Sequence, residues 1–145
     1  MITDAQLRPS LSQNLAVAAG NVNSTNAVDL LSAGRNLGRG QPMRGIVTVN
    51  QTFTGGTSIN VQFVESDNAD LSSPRVLAQT GVIAEADIPT AGNGKPLWDF
   101  QLPDTARRYI GFRYVMAGTH TAGQVSAHFV SDTDHNPYVA MNTGF

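Results

Sequence analysis

The sequence predicts an all-β chain, a two-sheet antiparallel sandwich of the jelly-roll or Greek-key type. Three observations carry that prediction. In the last third, Ile110, Phe112, Tyr114 and Met116 alternate with Tyr109, Arg113 and Val115, and Val125, Ala127 and Phe129 alternate with Ser126 and His128. A period of two is the mark of a half-buried strand. No sustained 3.6-residue apolar period occurs anywhere in the chain. Fourteen glycines and seven prolines punctuate the 145 residues, which suits many turns between short strands and a sandwich of six to eight of them.

Taken in order, residues 1–22 read as a polar, Asn/Ser-rich segment, an N-terminal arm or an irregular first layer. Ser24 to Leu31 reads as a short strand or a capped helical turn. The stretch from Gly34 to Pro42 is a glycine-punctuated loop carrying Arg35 and Arg39. Met43 to Phe53 is the first clear strand, with Val47, Val49 and Phe53 on one face. Gly55-Gly56 is a tight turn, and Thr57 to Ser66 follows as a strand with Ile59, Val61 and Phe63 in phase. Asp67 to Pro74 is a surface loop, and Arg75 to Val82, extending to Ala84, is a third strand. After the loop Ala91 to Lys95, Pro96 to Leu102 forms a strand holding Trp98 and Phe100. The two long C-terminal strands flank a Gly/Thr turn, Gly118 to Gly123. Residues 132–145 form a polar tail with Tyr138.

Composition bounds the function. One domain spanning residues 1–145 is long enough to bury a core without metal or disulfide. The net charge is −2, with eight arginines and one lysine, Lys95. That balance argues against a nucleic-acid partner, because binding phosphates calls for a basic excess. Arginine presents a planar fork of donors suited to protein contacts, whereas lysine favours a hydrated surface; a high-GC codon bias is the alternative source of the excess. Arg35, Arg39 and Arg44 form a group that can bridge to a neighbour's carboxylates; the alternative is a solvated loop. With no cysteine, disulfides and thiol chemistry are excluded. No apolar run approaches the roughly 18 residues of a membrane span, and Asp4 and Arg8 beside a short apolar piece make a poor signal peptide. The expected compartment is a cytoplasm.

Catalytic signatures are missing. His120, His128 and His135 lack metal-ligand spacing, and no nucleophile, phosphate-loop or dinucleotide motif occurs. Asp67 to Asp70 and Asp132 to Asp134 have too few oxygen ligands for a dedicated calcium loop. Glu65 and Glu85 are the only glutamates, with no pair marked for glycosidase chemistry. The expectation is no enzyme, no cofactor and no metal. Trp98 and Tyr138 can stack on sugar rings, although one tryptophan in a strand is more often core; a carbohydrate-binding jelly roll, on a phage fibre or linked to polysaccharide, is the alternative function.

Several phrases stand in a fixed order: Ser24-Thr25-Asn26-x-Val28-Asp29-Leu30, Gly34-Arg35-Asn36-Leu37-Gly38-x-Gly40, a strand ending Glu65-Ser66-Asp67, and Arg107-Arg108-Tyr109-Ile110-x-Phe112-x-Tyr114 with Gly118 and Gly123-x-Val125-x-Ala127. Over roughly residues 20–132 they resemble the small jelly-roll cement (decoration) proteins of short-tailed bacteriophages, as in the Bordetella podophage group. The resemblance implies a structural virion protein, made in the host cytoplasm and seated on the outer surface of the capsid. Its partners would be the major capsid protein and itself, as a homodimer in preference to a trimer, joining neighbouring capsomers after expansion. It implies no catalytic residue. Asn26, Asp29, Arg35, Arg39, Arg44 and Tyr138 are the candidate interface residues.

Overall fold

A computed structural model describes residues 5–35 and 42–131. Among them lie ten strands, two single-turn 3-10 helices (Ala5–Leu7 and Glu85–Asp87) and no α-helix. The strands are β1 (Ser10–Asn14), β2 (Gly20–Asn23), β3 (Val28–Asp29), β4 (Met43–Thr54), β5 (Ser58–Ser66), β6 (Arg75–Gln79), β7 (Ile83–Ala84), β8 (Trp98–Gln101), β9 (Tyr109–Ala117) and β10 (Ala122–Ser131). Sheet A runs β1-β10-β4-β8. Sheet B runs β2-β9-β5-β6, with β3 also pairing with β9 and β7 with β5. Every pairing is antiparallel.

The order is that of one long ribbon rolled on itself. The first strand pairs with the last, β2 and β3 with β9, β4 with β8, and β5 with β6 and β7. Rolling adds the seams β10·β4 and β9·β5, which close each sheet. This is a jelly roll. Its reason is in the apolar alternation. Ile59, Val61 and Phe63 of β5 and Ile110, Phe112, Tyr114 and Met116 of β9 all point inward and are buried, facing Val47, Val49, Val125, Ala127 and Phe129 of sheet A. The predicted inward faces of these strands are the observed ones.

Two segments differ from the reading of the sequence. The arm predicted over residues 1–22 is, from residue 10 on, part of the sandwich: β1 edges sheet A and β2 edges sheet B. Hydropathy hid this because β1 reverses it, with Ser10 fully buried and Leu11 57% exposed. A bulge between Ser10 and Gln13, with Ser12 at φ 44°, breaks the alternation. The strand predicted over Arg75 to Ala84 is divided into β6 and β7. Gly81 turns with φ 78°, and the Thr80 hydroxyl donates to the Gly81 carbonyl, pushing Val82 into solvent.

The outer face of sheet B is capped at one end. The β5–β6 loop folds back and buries Leu71 against Gly111. Any β-carbon at Gly111 would stand 2.6 Å from Leu71 Cδ1 and 2.8 Å from Ser24 Oγ, so glycine is required there by close approach. The Asn23 amide donates to the carbonyls of Asp70 and Leu71, and Ser66 Oγ donates to that of Ser72, fixing the loop.

Two buried titratable groups set the pH range of this fold. Burial pushes the Tyr114 phenol far above its ordinary range, opposed by its hydrogen bond to Ser10 Oγ at 2.9 Å. Burial, and then the nearby Arg8, lowers His128. The folded state thus holds Tyr114 protonated where the unfolded chain ionises it, and stability falls as pH rises above about 10. It holds His128 neutral where the unfolded chain protonates it, so stability also falls as pH drops below about 6.5. A plateau between roughly pH 7 and 10 is expected. The alkaline limb should fall by at most about 1.4 kcal/mol per pH unit. Denaturation midpoints across pH test this: Tyr114→Phe should flatten the alkaline limb and His128→Gln the onset of the acid limb, and unchanged limbs would refute the assignment.

Candidate functional site

Arginine is concentrated at one end of the sandwich. That end is formed by the start of β4 and β9, the end of β5 and β8, and the loops between them. Arg35, Arg44, Arg75, Arg107 and Arg108 all lie there, while the opposite end is built from the turns Gly55-Gly56 and Gly118 to Thr121. The sandwich brings distant acids to the same end, and most of these arginines have a partner within the chain. Arg44 Nη2 is 2.7 Å from Asp99 Oδ1, half-buried between β4 and β8. Arg75 pairs with the fully buried Glu65. Arg107 approaches Asp67 at 3.7 Å and donates to the Ser73 carbonyl.

Arg108 grips Asp29 with both prongs, Nε to Oδ1 at 2.8 Å and Nη2 to Oδ2 at 2.9 Å. Its guanidinium also stands 5.1 Å from the Tyr109 ring centroid. The Arg108 bonds, and then the Leu31 backbone N–H, hold the Asp29 carboxyl down to about 2. A two-pronged pair of this kind is geometrically specific, although its exposure to water keeps its energetic weight small.

Asp29 and Arg44 each sit in an ion pair internal to the chain. Asn26 is exposed, and its backbone N–H donates to the Pro9 carbonyl. Arg35 is exposed beside them, its carbonyl taking the Thr105 hydroxyl. Arg39 and Tyr138 lie outside the described residues, as do His135 and the tail after Ser131. The structure brings Asp29, Arg35 and Arg44 to the same end, with Arg108 and Arg75 added to them. Those two were not singled out by sequence; the signal available was only that Arg107-Arg108 precedes a strand.

A hollow of about 380 Å³ lies against the outer face of sheet A, between β4 and the loop Thr90 to Pro96. Its lining includes Ile46, Thr48, Asn93, Lys95 and Asp99, and Arg44 already occupies the Asp99 carboxylate. Trp98 is half-buried and stacks on Phe100 at 3.8 Å and 13°, with an edge toward Phe112. One ring face is thus covered by Phe100, and the side chain packs as a partly buried member of the core's rim. Among the described residues no group of three or more His, Asp or Glu side chains has metal-binding geometry. His120 is buried in its turn, edge-on to Phe53 and pressed against Gly56.

A profile of the protein family described as Bbp16 matches residues 11–129. The match opens in β1 and closes in β10, so it spans both sheets and includes the edge strands that hydropathy concealed. No curated protein matches the chain.

Proposed function

The chain belongs to the Bbp16 family, and from that membership we propose that it is a capsid cement protein. The family name points to a Bordetella phage protein. On this reading the chain binds the outside of the shell built by the major capsid protein and joins neighbouring capsomers of the expanded head, acting as a homodimer. The observation that carries the reading is the family match across the whole jelly roll.

The physics of the fold is in keeping with the role. A cement protein works by rigidity and by presenting two binding faces, and here the first and last strands pair with each other. Ion pairs internal to the chain neutralise most of the arginine end, which lowers its attraction for stray polyanions. A symmetric dimer engages two sites at once, so each contact can be weak while the pair is firm.

Co-sedimentation with cognate shells, expanded and unexpanded, tests the reading. Saturable binding at a fixed ratio to the shell protein, and only after expansion, is the expected result. Light scattering on the free protein should give the mass of a dimer. Failure to pellet with either shell form would overturn the cement role.

A further inference from the structure

The outer face of sheet B carries a row of polar side chains that crosses its four main strands. Gln79 of β6, Gln62 of β5, Arg113 of β9 and Asn23 of β2 lie in one row across four strands. Asn60, Val115 and Asn21 form the next row. Arg113 Nε donates to Gln62 Oε1 at 2.8 Å. A guanidinium has only donors, so it fixes which way the Gln62 amide points. Gln62 Nε2 then donates to Gln79 Oε1 at 3.0 Å, and Asn60 Nδ2 donates to the same oxygen at 3.1 Å. The acceptor of Gln79 is thereby filled by two amides of β5, and Gln79 itself is exposed.

The result is a flat patch, ordered by its own hydrogen bonds, that presents donors. Gln62 is only 9% exposed, so the row is anchored and not a fringe of mobile side chains. The two terminal nitrogens of Arg113 make no bond within the described residues, and no carboxylate there pairs with Arg113. This differs from Arg44, Arg75, Arg107 and Arg108, each of which has an acid. An uncompensated guanidinium fixed at the centre of a donor-rich face is matched by a carboxylate, which accepts both prongs. Because the row is already ordered, little side-chain entropy is lost on contact.

We infer that the outer face of sheet B, centred on Arg113, is the surface that docks an acidic segment of the shell protein. This rests on the cement reading and adds which face is used and the chemistry of what it meets. No aromatic residue stands in the two rows, so the patch lacks the stacking platform that a sugar would call for.

The test is co-sedimentation with expanded shells for four full-length proteins. They are the unaltered chain, Arg113→Gln, Asn21→Glu and Lys95→Glu. Asn21→Glu places a negative charge on the same face without touching the hydrogen-bonded row. Lys95→Glu puts a negative charge beside the hollow on sheet A. Arg113→Gln and Asn21→Glu are expected to weaken binding by at least about tenfold, with Lys95→Glu unchanged and thermal midpoints close to that of the unaltered protein. Binding retained by both sheet B variants would overturn the inference while leaving the cement reading standing, as would loss in Lys95→Glu alone. If the unaltered protein fails to pellet, the cement reading falls and the inference with it. A dimer that dissociates in Arg113→Gln would show the face to be a contact between two copies, which also overturns it.

Discussion

Replacing Phe63 with alanine should destabilise the fold by about 3–5 kcal/mol, the usual cost of deleting a fully buried phenyl ring. A chain of this length is expected to hold roughly 7–20 kcal/mol in all, so one substitution removes a large share. Phe63 is completely buried at the middle of β5. Its ring lies 5.5 Å from Phe100, 5.9 Å from Phe112 and 5.8 Å from Phe129. Phe112 belongs to its own sheet, while Phe100 and Phe129 belong to the other. The ring therefore joins the two sheets, and its loss leaves a void between surfaces held apart by their own ladders. Relaxation into that void is limited, which places the cost in the upper part of the range.

Denaturant unfolding followed through Trp98, the only tryptophan, measures this directly because Trp98 stacks on Phe100 at the edge of the same cluster. The midpoint should fall with an unchanged slope. Phe63→Leu keeps most of the volume and should cost less than half as much. Val82→Ala, at a residue 79% exposed, should stay within about 0.5 kcal/mol. A loss under about 1 kcal/mol for Phe63→Ala would mean that the sheets are not joined through this ring.

How much of this was legible follows from where the information sits. Alternation marked β4, β5, β8, β9 and β10 to within a few residues, because each has one face that is consistently apolar. β1 was illegible for the same reason turned round. Its inward residue is Ser10, which is tolerated only because the Tyr114 hydroxyl reaches it from 104 residues away and Gln13 Oε1 accepts its proton. No local pattern encodes a partner at that separation. Likewise, alternation alone puts Ser126 and His128 on the polar face of β10. Both are buried, Ser126 accepting the Ser12 backbone N–H where β1 lies over it.

The arginines show the same limit. Their number suggested surfaces made for partners, and nothing in the chain near Arg44, Arg75 or Arg108 foretells Asp99, Glu65 and Asp29. Pairing across strands decides which cations are neutralised within the chain and which remain available. Arg113 was visible only as an outward residue of a strand. Its distinction is that the sheet gives it amides for neighbours and no acid, which is a property of register and not of composition.

Glu65→Ala should be the other severe substitution, with a loss of about 3 kcal/mol. Glu65 is fully buried at the end of β5. Its Oε2 takes the backbone N–H of Ala106 at 2.7 Å and of Arg107 at 3.1 Å, and its other oxygen faces Arg75. Two roles compete, an ion pair and a cap for the loop that leads into β9. Exposure decides between them. The Arg75 side chain is 53% exposed, so water screens the pair and rehydrates the arginine once its partner is gone, leaving the pair worth about 1 kcal/mol or less. The two backbone donors have no such recourse, and each orphaned donor costs about 1–3 kcal/mol. The loop they belong to also holds Gly34 through the Ala106 carbonyl and Leu30 through that of Arg108, so its loosening spreads along the arginine end. The expected order is Glu65→Ala well below Glu65→Gln, which keeps an acceptor for the loop, with Arg75→Ala costing less than Glu65→Ala because the two backbone donors still hold Glu65 Oε2. Hydrogen exchange at Ala106 and Arg107 should quicken in Glu65→Ala far more than in Arg75→Ala. A double-mutant cycle in which the Glu65–Arg75 coupling accounts for most of the loss would reverse this assignment, making the ion pair and not the loop cap the main source of stability at this end.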